Sequence, residues 1–149
     1  MASPAQVEAL ADAYRQAAHA LLALGKKGEP VTRAPFRLTA IHAIELYLNA
    51  YLLRCGCAAA EIRALQHDLQ ARAERALANG LRLKRKTAEH LRSMSAAREY
   101  LVSRYSPDLV SAMSQVNRLV ATLDEVAEKV AKAAPQANKA APAPSACTR

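Results

Sequence analysis

The sequence has no tryptophan, one phenylalanine and five tyrosines among its 149 residues, so any core must be built from aliphatic side chains and alanine. Its four glycines, Gly25, Gly28, Gly56 and Gly80, each fall at an expected helix end, which excludes a glycine-rich phosphate loop. Proline is confined to the edges of periodic segments (Pro4, Pro30, Pro35, Pro107, Pro135, Pro142 and Pro144) and breaks none of them. The three cysteines, Cys55, Cys57 and Cys147, form an odd set without metal-ligand or redox spacing. His19, His42, His67 and His90 are widely spaced and none lies in a ligand-rich motif, so no metal site and no cofactor are expected. No apolar run reaches membrane-spanning length, and residues 1–25 lack a basic start followed by an apolar core. The expected address is the cytoplasm, with no membrane partner.

What remains is rich in alanine and leucine, and this composition predicts an all-α protein. Ser3-Pro4-Ala5-Gln6 carries a cap, a first-turn proline and a capping-box glutamine, opening a first helix that ends near Gly25. A second helix runs from about Phe36 to Cys55. It is apolar on nearly every side and so belongs at the centre of a bundle. A third is expected from Ala59 to Asn79, stopped by Gly80, and a fourth from Lys84 or Thr87 through Tyr105. Ser106-Pro107-Asp108 reads as the start of a fifth, with Leu109, Met113, Val116, Val120, Leu123, Ala127 and Val130 at heptad spacing. That seam suits either an intramolecular groove or a homodimer contact. The result is an up-down bundle of about five helices over residues 1–130, followed by a disordered Ala/Pro/Lys tail over 131–149.

Net charge is +8, and most of it lies in the middle third. Between Arg63 and Arg98 nine Lys/Arg face Asp68, Glu74 and Glu89, a surplus of +6. Arg72, Arg75, Arg82, Lys84, Arg85 and Lys86 are the candidate polyanion-binding residues. No aromatic residue lies near the Arg82–Lys86 run, so contact there would be to backbone phosphates and independent of sequence. A solvated surface explains the same run equally well.

Two residues have the chemistry for catalysis. Arg63 and His67 are one helical turn apart on the expected third helix and lie off its apolar stripe of Ile62, Leu65 and Leu69. A histidine beside an arginine suits proton transfer and charge stabilisation on a phosphodiester. The plainer reading is a histidine hydrogen-bonded to Glu45, the carboxylate placed in the apolar second helix. Arg104 and Tyr105 are the other candidate pocket residues near Glu45.

Ala43-x-Glu45-Leu46-x-Leu48-x-Ala50, His67-x-Leu69, and Arg104-Tyr105 with Pro107, in this order and spacing, resemble the HEPN family of small prokaryotic helical proteins. The resemblance covers about Phe36 to Val130 and implies a compact helical bundle, often homodimeric. It also implies one of three roles: a metal-independent ribonuclease, a toxin paired with a small nucleotidyltransferase, or a non-catalytic nucleotide- or partner-binding module. The family's ribonuclease motif has a wider Arg-to-His spacing and a polar residue after the arginine; here Ala64 follows Arg63. The leading expectation is therefore a non-catalytic binding module for RNA, nucleotide or a partner protein. A ribonuclease using Arg63 and His67 and a structural dimeric adaptor are the alternatives.

Overall fold

The computed structural model describes residues 2–133. Within them the chain is an all-α bundle of seven helices without a β-strand: α1 (Pro4–Leu22), α2 (Ala34–Arg54), α3 (Ala59–Ala64), α4 (Leu69–Ala78), α5 (Arg85–Ala96), α6 (Glu99–Tyr105) and α7 (Val116–Lys132). Among these residues no helix is long and apolar enough to cross a membrane. The tail expected from residue 131 lies outside the described residues from 134 onward, and Cys147 with it.

The bundle is organised around α2, as its all-round apolar character requires. Phe36, Ala40, Ile41, Ala43, Ile44, Tyr47, Leu48, Ala50, Tyr51 and Leu52 are all buried. α1 lies antiparallel against it, shown by the pairs Glu8–Arg54, Asp12–Tyr47 and Tyr14–His42. α7 runs in the same sense as α2: Arg37 meets Ser114 at one end and Arg54 meets Val130 and Ala133 at the other. Leu91 and Met94 of α5 and Leu119, Leu123, Val126 and Val130 of α7 complete the core.

Three helix ends follow the sequence closely. The capping box of α1 forms, with Ser3 N–H donating to Gln6 Oε1 at 2.8 Å and Gln6 N–H to Ser3 Oγ at 3.2 Å. Gly56 and Gly80 take left-handed φ (86° and 101°) after α2 and α4. In each case the next two N–H groups turn back to the last helical carbonyls, Gly56→Leu53 with Cys57→Leu52, and Gly80→Leu77 with Leu81→Ala76.

Three expected helices are interrupted. The third breaks at 65–68, where Gln66 adopts φ 48° and Asp68 caps a new helix by accepting from Ala71 N–H at 3.0 Å. The fourth breaks at Arg98, φ 51°, giving α5 and α6. The fifth begins nine residues late: Pro107–Ala112 is a 3₁₀ turn and α7 starts at Val116. Tertiary bonds explain the delay. Arg37 Nη1 donates to Ser114 O at 2.6 Å, while Glu99 accepts from Ser114 N–H (2.8 Å) and Oγ–H (3.0 Å), holding the chain out of the helix there. The seam from Leu109 to Val130 is thus no continuous stripe. Leu123, Ala127 and Val130 are buried within the chain, and Leu109 stands 50% exposed in the 3₁₀ turn.

Candidate functional site: a cleft at two non-glycine helix stops

Both interruptions in the middle of the chain open onto one cleft. It has a volume of about 500 Å³ and is lined by Ala64, Leu65, Gln66, His67, Asp68, Ala71, Ser95, Arg98 and Tyr100. Gln66 and Arg98, the non-glycine residues with left-handed backbone among those described, both stand in its wall. A side chain in that conformation is disfavoured and persists only where its surroundings impose it, and such residues concentrate at binding and catalytic sites.

The cleft floor is held from beneath by α2. Glu45 Oε2 lies 3.1 Å from His67 Nδ1, and Glu45 Oε1 lies 3.5 Å from the Arg72 guanidinium. Arg72 is almost fully buried and donates to Asn49 Oδ1 (2.8 Å) and to the carbonyls of Ile62, Leu65 and Asp68 (3.3–3.4 Å). These bonds tie the irregular 65–68 segment to α2. Burial pushes the arginine's pKa down against the pull of Glu45 and Asp68.

Above that floor the His67 ring lies tilted against Tyr100, centroids 5.0 Å apart. With Nδ1 engaged by Glu45, Nε2 is left for the cleft side of the ring, and 42% of the side chain is exposed. Asp68 accepts from Ala71 N–H and from Ser95 Oγ–H (2.8 Å), which together hold its carboxyl below the usual carboxylate range. His42, also on α2, stands edge-on to Tyr14 with ring centroids 4.6 Å apart. Its pKa is lowered first by burial, with Glu45 opposing and Arg104 and His67 adding to the shift.

The sequence-derived residues divide between this cleft and other places. Glu45 and His67 come together as expected. Arg63 is exposed on α3, outside the cleft lining, because the helix that was to align it with His67 ends at Ala64. Arg104 and Tyr105 line a separate depression with Pro35 and Leu38, and Tyr105 is 73% exposed. The tyrosine against His67 is Tyr100, which the sequence reading passed over along with Gln66, Asp68, Ser95 and Arg98. Asp68 had a signal of its own, an Asp followed by an apolar helical run, which is a cap pattern. The other four carried none.

The basic candidates separate too. Arg72 leaves the polyanion cluster, since its charge is spent inside the fold. Arg75 pairs with Glu61 at 3.4 Å, Arg85 with Glu89 at 2.7 Å, and Lys84 reaches Glu125 at 3.7 Å. Arg82 and Lys86 are exposed beside them. No cluster of His, Cys, Asp or Glu among the described residues has the make-up of a metal site. No family model, curated protein or solved structure matches this chain.

Proposed function

We propose that the protein is a non-catalytic, HEPN-type binding module whose ligand is a nucleotide unit, free or within single-stranded RNA, taken into the cleft beside His67 and Tyr100. The observation that carries this reading is the convergence of the two left-handed residues, the His67–Tyr100 ring pair and the polar groups of Gln66, Asp68, Ser95 and Arg98 on one concave surface. An aromatic face beside hydrogen-bonding side chains suits an unstacked base, and a neighbouring arginine suits its phosphate. The absence of Arg63 from this surface favours binding over cleavage.

One observation favours the ribonuclease alternative: a histidine held through Nδ1 by a buried carboxylate is also how a general base is positioned. The same experiment separates the two. Labelled single-stranded RNA is titrated with wild type and with Tyr100→Ala, and its integrity is followed without added metal. Anisotropy is expected to show intact RNA bound, with about tenfold weaker binding for Tyr100→Ala, the loss of one stacked base. RNA cleavage that disappears in His67→Ala at unchanged melting temperature establishes the ribonuclease instead. No binding to the wild type at low salt overturns both.

A further inference from the structure

The first helix turns its apolar residues the opposite way from an ordinary surface helix. The α1 side chains fully shut off from water are two alanines, Ala11 and Ala18, whereas Leu10 is 48% exposed and Leu24, in the turn that follows, 67%. A surface helix usually buries its large apolar residues and shows charge to solvent. In α1 every charged side chain, and the one histidine, is spent inside the chain. Glu8 pairs with Arg54, Asp12 accepts from Tyr47 Oη–H, and Arg15 and His19 both reach Asp124 at 2.9 Å.

The opposite face of α1 is uncharged. Gln6, Leu10, Ala13, Ala17 and Ala20 are all exposed and alternate four and three residues apart. At 3.6 residues per turn they fall within about 80° of one another, a single row along the helix. Leu24 continues the spacing. Small side chains in the middle of the row let a second helix approach to about 8 Å. A reversed copy of the same row complements it: Ala13 meets Ala17 at the centre, and Leu10 meets Ala20 on either side.

We propose that this face of α1 is an interface between two copies of the chain, packed antiparallel about a twofold axis between Ala13 and Ala17. Charge selects the occupant. Two chains of net charge +8 repel, and the uncharged face of α1 lets them meet without setting cation against cation. The same face offers neither an acidic nor a basic partner a countercharge. The antiparallel sense keeps Lys26 and Lys27 of the two copies a helix length apart and opposes the two helix dipoles. Two helices about 28 Å long, in contact throughout, remove on the order of 1,000 Å² from water, the lower limit of a specific interface, so dissociation belongs in the micromolar range. No α1 residue lines the cleft at His67, so the interface stands if the nucleotide reading fails.

Sedimentation equilibrium on the full chain, from micromolar to millimolar concentration, gives the test. The mean mass is expected to climb from 16.0 kDa toward twice that value. Ala13→Glu/Ala17→Glu gathers like charges at the axis and should weaken association at least about tenfold. Its circular dichroism should match wild type, since both positions face water and glutamate is a good helix former. Ala13→Glu/Ala17→Lys sets unlike charges opposite each other in an antiparallel pair and like charges in a parallel one, so it should restore the dimer. A mass of 16.0 kDa at every concentration leaves the face to a different protein and overturns the proposal. A dimer indifferent to Ala13→Glu/Ala17→Glu overturns it as well, and one that Ala13→Glu/Ala17→Lys fails to restore overturns the antiparallel packing. Because the first readout needs only wild-type protein, a misfolded variant would not mask the answer.

Discussion

At the scale of single residues, the buried charges govern what mutation and pH will do. Glu45 compensates Arg72, whose side chain is 3% exposed. Glu45→Ala is expected to destabilise the protein by about 3 kcal/mol, because it strands a buried guanidinium. Urea unfolding monitored by circular dichroism measures this. His90 behaves differently. Its pKa is pushed down to about 4, first by burial and then by Arg118 and Arg37. The unfolded chain, with an ordinary imidazole near 6.5, binds a proton over the interval where the native state does not. Stability is therefore full above pH 6.5 and declines as pH falls toward 4, a loss of about 3 kcal/mol for the separation of those two values. Melting temperatures across that window should fall more steeply for wild type than for His90→Gln, and parallel curves would refute the assignment.

At the scale of elements, helix stops decide the site. Gly56 and Gly80 end α2 and α4 without strain, whereas Gln66 and Arg98 end α3 and α5 with side chains in the left-handed region. Arg98→Gly should thus stabilise the fold by about 1 kcal/mol. In the same variant RNA binding should weaken, since the cleft loses its cation. Gain of melting temperature together with loss of binding in one protein is the outcome that marks a residue kept for function at a cost in stability. Asp68 is the other determinant, capping α4 and accepting from Ser95 of α5. Asp68→Ala should cost about 1–2 kcal/mol through the lost cap, and native-state hydrogen exchange should show the first turn of α4 opening earliest.

At the scale of the whole molecule, charge and association are the relevant properties. The net charge of +8 attracts polyanions over a distance set by salt, and four exposed cations at 82–86 remain for phosphate contact once the buried Arg72 and the half-buried Arg75 are discounted. Affinity for single-stranded nucleic acid should then fall with a logarithmic salt slope of about −3 or shallower, from four contacts at about 0.7 each. A markedly steeper slope would require contacts outside this run. The apolar stripe expected to join two copies is largely consumed in the core along α7. The homodimer implied by the family resemblance would have to use another surface, of which Leu10 and Tyr14 on α1, 48% and 37% exposed, are apolar members.

The helical class, the central place of α2, the capping box of α1 and the glycine stops at 56 and 80 are legible in the amino-acid sequence, because each depends on local propensity, periodicity or one residue's backbone freedom. The sequence also brings Glu45 and His67 to notice as partners. Where the other helices break is set by packing between elements. Gln66 and Arg98 are ordinary helix formers locally, and they stop helices here because contacts distant in sequence hold the adjoining chain: Asn49 of α2 anchors the Arg72 guanidinium that binds the carbonyls of 62, 65 and 68, Glu45 holds His67, and Asp68 accepts from Ser95. For the same reason α7 starts at Val116 and not at the capped, proline-led segment before it, since Arg37 and Glu99 claim the backbone of Ser114. The cleft exists where those long-range bonds override local preference, so its lining could not be read from any one segment of the chain.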